Sequence, residues 1–303
     1  MKFLLAVFLI PIFLTGCNSR SDDVLTIGLM SDIGGIPFIV AQQRGYLDES
    51  INLELFMSAS DRDAAIQANR ISGSMSDVLA IALAHNGGFN IYIAGAMQVR
   101  HGIAVGVDSG IESVEDLRGR SLGISFNTII EYVVDSILAS YGVDSADVNK
   151  ISVPTIPSRL ELLQNNQLDA MAAPEPHLYL ASREGVGNFL RSSEDVGLQA
   201  GVLMVTADTV ENKSHLVHKL VEAYNRAVEF INASDRDEFW PAAMQEMGFS
   251  EAAVNIDLPN FTPLRLPERD QIDNAVNWLL NRDLINAAFT FEDLVQPQFV
   301  AER

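Results

Sequence analysis

The sequence predicts an α/β protein of two domains, on three observations. From Val24 onward, short β-branched runs alternate with helical patterns, which builds helix-flanked sheets rather than a bundle or a sandwich. Two apolar, glycine-bearing runs, GIAVGV over 102–107 and GVLMVT over 201–206, bracket a segment that is a complete α/β unit by itself. Beyond the second run strand signals nearly vanish and long helical patterns take over. Without its first sixteen residues the chain keeps 287, enough for two domains and a substantial core.

The chain opens with Met1 and Lys2, continues as the uncharged run FLLAVFLIPIFL over 3–14, and reaches the small residues Thr15 and Gly16, the outline of a signal peptide. Twelve residues in a helix cover only ~18 Å, short of a bilayer core. Cys17, the only cysteine, cannot form a disulfide within the chain, which leaves a buried hydrophobe, a reactive thiol or an attachment point. Leu14-Thr15-Gly16-Cys17 resembles the bacterial lipobox. That resemblance implies a mature chain that starts at Cys17 and is acylated on sulfur and amine, and two or more acyl chains anchor a protein stably. An ordinary signal peptide that happens to contain a cysteine is the alternative. The polar stretch NSRSDD over 18–23 reads with Cys17 as a tether (17–23) of at most ~20 Å.

VLTIGL over 24–29 reads as a strand, and Pro37 opens a helix that Gly45 ends. INLELF over 51–56 alternates as a strand, and a helix runs from about Ser60 to Ile71 with Asp61 and Asp63 in its first turn. Residues 74–87 read as a short strand running into a helix, and 90–96 and 102–107 as further strands. A capped turn of helix, a turn at Gly119 and a strand fill 113–125. The helix over 128–142 sets Ile129, Val133, Ile137 and Tyr141 on one face. Strand 148–154, helix 158–167 and strand 168–174 follow, then strand 201–206. Helices 214–233, 236–247 and 268–280 complete the chain.

Against 20 Lys plus Arg stand 40 Asp plus Glu, a formal charge of −20, with no basic cluster longer than a pair. Nucleic acid and electrostatic docking on anionic lipid are therefore disfavoured. Cysteine-rich metal sites and thiol catalysis are excluded past Cys17. His85, His101, His177, His215 and His218 form no metal-binding pattern, so no metal and no cofactor is expected. No GxSxG, Walker loop or dinucleotide fingerprint occurs.

Four segments in order resemble the type-two periplasmic solute-binding family that serves nitrate, sulfonate, taurine and thiamine-pyrimidine uptake. They are PFIVAQQRGYLDESINLEL (37–55), GSMSDV (73–78), SGIESVEDLRGRSLGIS (109–125) and NNQLDAMAAPEP (165–176). The resemblance implies a periplasmic-binding-protein type II fold: mixed sheets flanked by helices, in two lobes with a cleft between them. One lobe would hold 24 to about 105 plus about 201 to 303 and the other about 106 to 200, joined by two crossing strands that let a solute close them.

In open α/β sheets, ligands sit beyond the carboxyl ends of strands. Three loops qualify. In Ser31-Asp32-Ile33-Gly34-Gly35-Ile36 the paired glycines let N–H groups turn toward a bound group, or form a plain tight turn. In Ser125-Phe126-Asn127-Thr128, Asn127 or Thr128 can cap the next helix and Phe126 offers an aromatic face, or packs in the core. In Ala173-Pro174-Glu175-Pro176, prolines stiffen the backbone around one carboxylate. Expected solute contacts are thus Ser31, Asp32, Gly34, Gly35, Phe126, Asn127, Thr128, Glu131 and Glu175. Because Asp32, Glu131 and Glu175 would repel an anion, the expected solute is neutral or amino-bearing, such as a pyrimidine-like ring stacked on Phe126 or Tyr179.

The function expected from the resemblance is a solute receptor, not an enzyme. It would be monomeric, held outside the cytoplasm in the cell envelope by Cys17, and would deliver a small molecule to the permease and ATPase of an ABC importer. The rival is an enzyme of the same fold, of the menaquinone-pathway lyase or thiamine-pyrimidine synthase type. Those enzymes act in the cytoplasm, and the second has a cysteine-rich motif that this chain lacks. A lipoprotein with an adhesive or sensor role is a third reading.

Overall fold

In the computed structural model, residues 24–199, 201–249, 256 and 260–300 are described. The expected signal peptide, Cys17 and the tether lie outside the described residues. The strands sort into two five-stranded sheets built on one plan. In chain order the first sheet takes β1 (Leu25–Met30), β2 (Ile51–Phe56), β3 (Gly73–Asp77) and β4 (Ile91–Ala96). The second takes β5 (His101–Gly106), β6 (Ser121–Ile124), β7 (Asn149–Ser152), β8 (Ala170–Pro174) and β9 (Gly187–Ser192), after which β10 (Gly201–Thr206) returns to the first.

The spatial orders are β2-β1-β3-β10-β4 and β7-β6-β8-β5-β9. Within each sheet four strands run in one direction, and the strand that has just arrived from the other sheet, β10 or β5, is inserted antiparallel between two of them. Both inserted strands also shift register midway, at Leu203/Met204 and at Ile103/Ala104. Close strand approach explains the glycine at the head of β5: a Cβ on Gly102 would lie 2.4 Å from the Arg191 carbonyl oxygen.

The helices are α1 (Ile36–Gln43), α2 (Ala59–Gln67), α3 (Val78–Asn86), α4 (Ile129–Ser140), α5 (Ile156–Gln164), α6 (His177–Arg183), α7 (Ala207–Asn212), α8 (Ser214–Ala233), α9 (Trp240–Glu246), α10 (Arg269–Asn281) and α11 (Phe291–Leu294). Several begin directly beyond a strand, and there the first-turn N–H groups need an acceptor. Ser58 accepts from Asp61 N–H for α2, Asp77 from Ala80 N–H for α3 and Thr128 from Ile130 N–H for α4. These three caps also build the cleft. On α8, Leu216, Leu220, Tyr224, Ala227 and Ile231 form a buried stripe in the first-sheet core, where Tyr224 meets Phe38 of α1. Ile272, Ala275, Val276 and Leu279 of α10 share a core cluster with α3, and Trp278 reaches Tyr132 of α4, with ring centroids 5.5 Å apart. No described helix is long and apolar enough to cross a membrane.

Three elements depart from expectation. The helix expected to reach Ile71 stops at Gln67, because Asn69 turns into the left-handed region (φ 54°) and Ile71 is freed to enter the core. The helix expected over 236–247 is a 3-10 turn, Arg236–Glu238, followed by α9 with Pro241 in its first turn. Strand β9, GNFLRS, lies at a sheet edge and leaves Phe189 49% exposed, so its pattern gives no clean alternation.

Candidate interlobe binding site

The carboxyl ends of parallel strands from both sheets converge on one narrow cavity of about 70 Å³. Ser31 and Asp32 follow β1, Met57 and Ser58 follow β2, and Ser76 and Asp77 end β3. From the other sheet come Ser125 after β6, Pro154 after β7 and Pro174 at the end of β8, together with Thr128, Ile129 and Ile130 where α4 starts. Loops from the two sides touch at one end: Ile33 N–H donates to the Glu175 carbonyl at 3.0 Å, and His177 Nε2 lies 3.1 Å from the Ser31 carbonyl oxygen.

Two arginines enter the cavity wall. Arg62 of α2 is buried; its Nε donates to Asp63 Oδ1 at 2.8 Å and its Nη1 to the Met75 carbonyl at 3.3 Å. Arg159 of α5 is 1% exposed, and every hydrogen bond it donates among the described residues goes to a neutral oxygen. Nε reaches the Val153 carbonyl at 2.7 Å, Nη1 the Ala172 carbonyl at 2.6 Å, and Nη2 both the Pro154 carbonyl at 3.2 Å and Ser125 Oγ. Burial lowers its pKa to about 10, which leaves it cationic at neutral pH. A buried cation without an anion is costly unless a ligand supplies one. In the same cavity, on the first-sheet side, Ser76 Oγ is buried without a hydrogen-bond partner among the described residues.

Acids stand on the first-sheet wall. Burial pushes Asp32 up to about 7, against the Gly34 N–H, which donates to Oδ1 at 2.7 Å, and the Arg62 charge. Asp77 is raised for the same reason, with Arg62 and the Ala80 N–H opposing. His101 is pushed down to about 4 by burial and by Arg159, so it stays neutral. The cavity therefore presents both a cationic and an acidic wall.

Of the residues expected at the site, Ser31, Asp32 and Thr128 line this cavity, and Asn127 lines a recess beside it. Gly34 and Gly35 sit behind it, where a Cβ would press on Asp32 Oδ1, Val99 and Met247. Phe126 is 42% exposed at the surface and does not line it. Glu131 points away from it: the carboxylate is fully buried, accepting the Asn127 N–H at 2.8 Å and pairing with Lys150 at 3.3 Å and Arg282 at 2.5 Å. Glu175 pairs with Arg100 at 3.1 Å, accepts the Tyr179 N–H at 3.0 Å, and borders a different hollow together with Tyr179. Burial also raises its pKa, against the Arg100 charge. Two carboxylates expected to repel an anion thus spend their charge on arginines and a lysine.

Arg62, Arg159, Ser58, Ser76 and Asp77 were not among the expected contacts. A signal existed for Arg159, which lies on the apolar stripe Ile156-Arg159-Leu163, and for Arg62, four residues before buried Ile66. Among the described residues no group of three or more His, Cys, Asp or Glu could hold a metal ion.

The family model described as NMT1/THI5 like matches residues 34–237. No curated protein matches the sequence. Among solved structures, the alkanesulfonate-binding protein SsuA from Xanthomonas axonopodis pv. citri, bound to MOPS, aligns over 90% of this chain and 98% of its own at 18% identity and a TM-score of 0.78. The periplasmic nitrate-binding protein NrtA from Synechocystis PCC 6803 aligns over 91% and 87% at 12% identity and 0.76. DszB in complex with biphenyl-2-sulfinic acid aligns over 91% and 97% at 16% identity and 0.66. At these identities the likeness is one of fold, and it is the two-lobed periplasmic-binding-protein fold.

Proposed function

The chain belongs to the NMT1/THI5-like family, and on that premise we propose that it is the solute receptor of an ABC importer, anchored outside the cytoplasm by acyl chains on Cys17. Its two lobes, one around each sheet, close on a small solute at the cavity between the sheets; the first boundary, expected at 105/106, falls before His101 instead, because β5 pairs with β8 and β9 of the second sheet. The expectation of a merely neutral or amino-bearing solute changes with the two arginines. We propose a zwitterion, whose ammonium group faces Asp32 and Asp77 and whose oxyanion faces Arg159, Ser76 and Ser125.

The observation that carries this reading is Arg159, a buried guanidinium with only neutral partners, in the same cavity as Asp32. SsuA is an alkanesulfonate-binding protein and NrtA a nitrate-binding protein, so both kinds of anion belong in the test.

Calorimetric titration of protein lacking residues 1–23, against 2-aminoethanesulfonate, nitrate and an aminopyrimidine, tests the solute class. The expected result is micromolar binding of the zwitterion and at least tenfold weaker binding of the others. Tighter binding of nitrate than of the zwitterion overturns it. Mass spectrometry of the mature amino terminus tests the anchor, with an unmodified Cys17 as the contrary result.

A further inference from the structure

A recess of about 550 Å³ adjoins the 70 Å³ cavity, and the two share Ala59, Arg62, Asp77 and Thr128 as common walls. The recess lies between two helix faces. On α2 it is bordered by Ala59, Arg62 and Ile66, at three- and four-residue spacing; on α3 by Ala80, Leu83 and Ala84, with Phe89 and Ile91 beyond. Its floor is apolar, because Ile66 and Ile91 are buried core residues and Leu83, Ala84 and Phe89 pack against that core while remaining partly open. Asp63, Gln67 and Asn127 make its polar rim.

The partition between the two spaces is fixed. Arg62 is held by Asp63 and the Met75 carbonyl, and Asp77 by its capping bond to Ala80 N–H at 2.9 Å. Asn127, in the left-handed region at φ 58°, is tied through its N–H to Glu131. The recess is therefore a built space and not a gap between mobile side chains. At about 70 Å³ the inner cavity has room for a charged head group and little more.

We propose that the solute carries an apolar extension on its amino end that passes Asp77 and Arg62 and lies in the recess over Ile66, Leu83 and Phe89. Asp77, which would meet the ammonium group, borders both spaces, so a substituent on that nitrogen has a path outward. The aliphatic stem of Arg62 flanks that path while its charged end is satisfied elsewhere. The solute class that follows is a zwitterionic head with an alkyl or aryl tail of about four carbons or more. This rests on the receptor reading above and adds a second subsite to it.

The test is a titration series of N-alkylated 2-aminoethanesulfonates, from the unsubstituted parent through methyl, butyl and octyl. Each methylene buried is worth about fourfold in Kd, by the usual apolar transfer free energy. The expected result is a Kd that falls about fourfold per carbon through butyl and then levels off. Ala84→Trp, which fills the recess, and Leu83→Asp, which charges its floor, should each abolish that gain and leave the parent's Kd unchanged. Circular dichroism and melting curves establish that both variants fold, and either one alone suffices for the comparison. A flat or rising Kd along the series, with the parent still bound, overturns the subsite and leaves the receptor reading standing. A chain-length gain that survives in a folded variant also overturns it. If no member binds, the parent included, the zwitterion reading fails and the subsite falls with it.

Discussion

Two clusters of buried charge flank the start of α4, and they differ in one respect. On the side away from the cavity, Glu131 and Asp135 meet Lys150 and Arg282, two acids against two bases. Lys150 Nζ is 2.5 Å and Arg282 Nη1 2.7 Å from Asp135, which also accepts from Ser145 Oγ at 2.7 Å and Trp278 Nε1 at 3.1 Å. On the cavity side, Arg159 meets carbonyls and a hydroxyl. The first cluster is complete within the chain, so its role is to hold the structure. The second has no anion among its hydrogen-bond partners, and the proposed oxyanion would supply one. Arg282 leaves the end of α10, which packs on α3, and grips α4 on the other sheet. The balanced cluster is thus a strap across the two halves.

The comparison predicts opposite phenotypes. Glu131→Ala strands Lys150 and Arg282 with one carboxylate between them, and breaking a buried pair costs about 4 kcal/mol. A melting temperature about 10 °C lower is expected by calorimetry. Solute affinity at 25 °C should stay within threefold, because Glu131 does not line the cavity. Loss of affinity without loss of stability would reverse the roles assigned here.

Arg159→Met should do the converse. Removing the cation that faces the solute's oxyanion is expected to weaken binding about 100-fold, roughly 2.7 kcal/mol. The melting temperature should move less than in Glu131→Ala, since a buried charge without a counter-ion is also removed. Unchanged affinity would mean that the oxyanion sits elsewhere.

The alternation of strands and helices was legible because it rests on local pattern, and Pro37, Gly45 and Gly119 mark real boundaries. The site was legible only in part. Ser31 and Asp32 directly follow a strand and Thr128 caps the helix after one, where position in the chain gives position in space. Arg62 and Arg159 lie inside helices, where the apolar period sets them on a buried stripe but does not say which strand ends of the two sheets meet it. Glu131 looked cleft-facing for the opposite reason: its partners Lys150 and Arg282 are 19 and 151 residues away in the chain, and no local pattern announces them.

A third prediction follows the acidic wall. Asp32 has a folded pKa of about 7, above its ordinary 3.8. Between those values the native state holds more protons than the unfolded one, so stability is greatest below pH 4 as far as this group is concerned and falls as pH rises toward 7. A bound ammonium group favours the ionised form and takes on the cost of keeping it so. Affinity for the zwitterion should therefore rise about tenfold from pH 6 to pH 8, as the carboxyl of the free protein ionises. Proton release on binding, measured by calorimetry in buffers of different ionisation enthalpy, checks the sign. Asp32→Asn should flatten the profile. Arg62 and Asp77 face the same space, and a profile that persists in Asp32→Asn would move the assignment to Asp77.

The smallest effect is expected at Arg282, and it isolates the strap from the buried pair inside it. The Arg282 side chain is 34% exposed, so water screens its two ion pairs, and Glu131 keeps Lys150 when it is gone. Arg282→Ala should lower stability by about 1 kcal/mol, a shift of a few degrees in melting temperature. Truncation also takes the guanidinium from over the Trp278 ring, 4.6 Å from its centroid, so part of that loss is packing. A double-mutant cycle with Asp135→Ala separates the two, because only the ionic part depends on the partner. A coupling of about 0.5 kcal/mol or more that shrinks in 1 M salt places the strap in the electrostatics. A coupling near zero would leave the link between α10 and α4 to the Arg282–Glu131 pair and to Trp278, through its hydrogen bond to Asp135 and its contact with Tyr132.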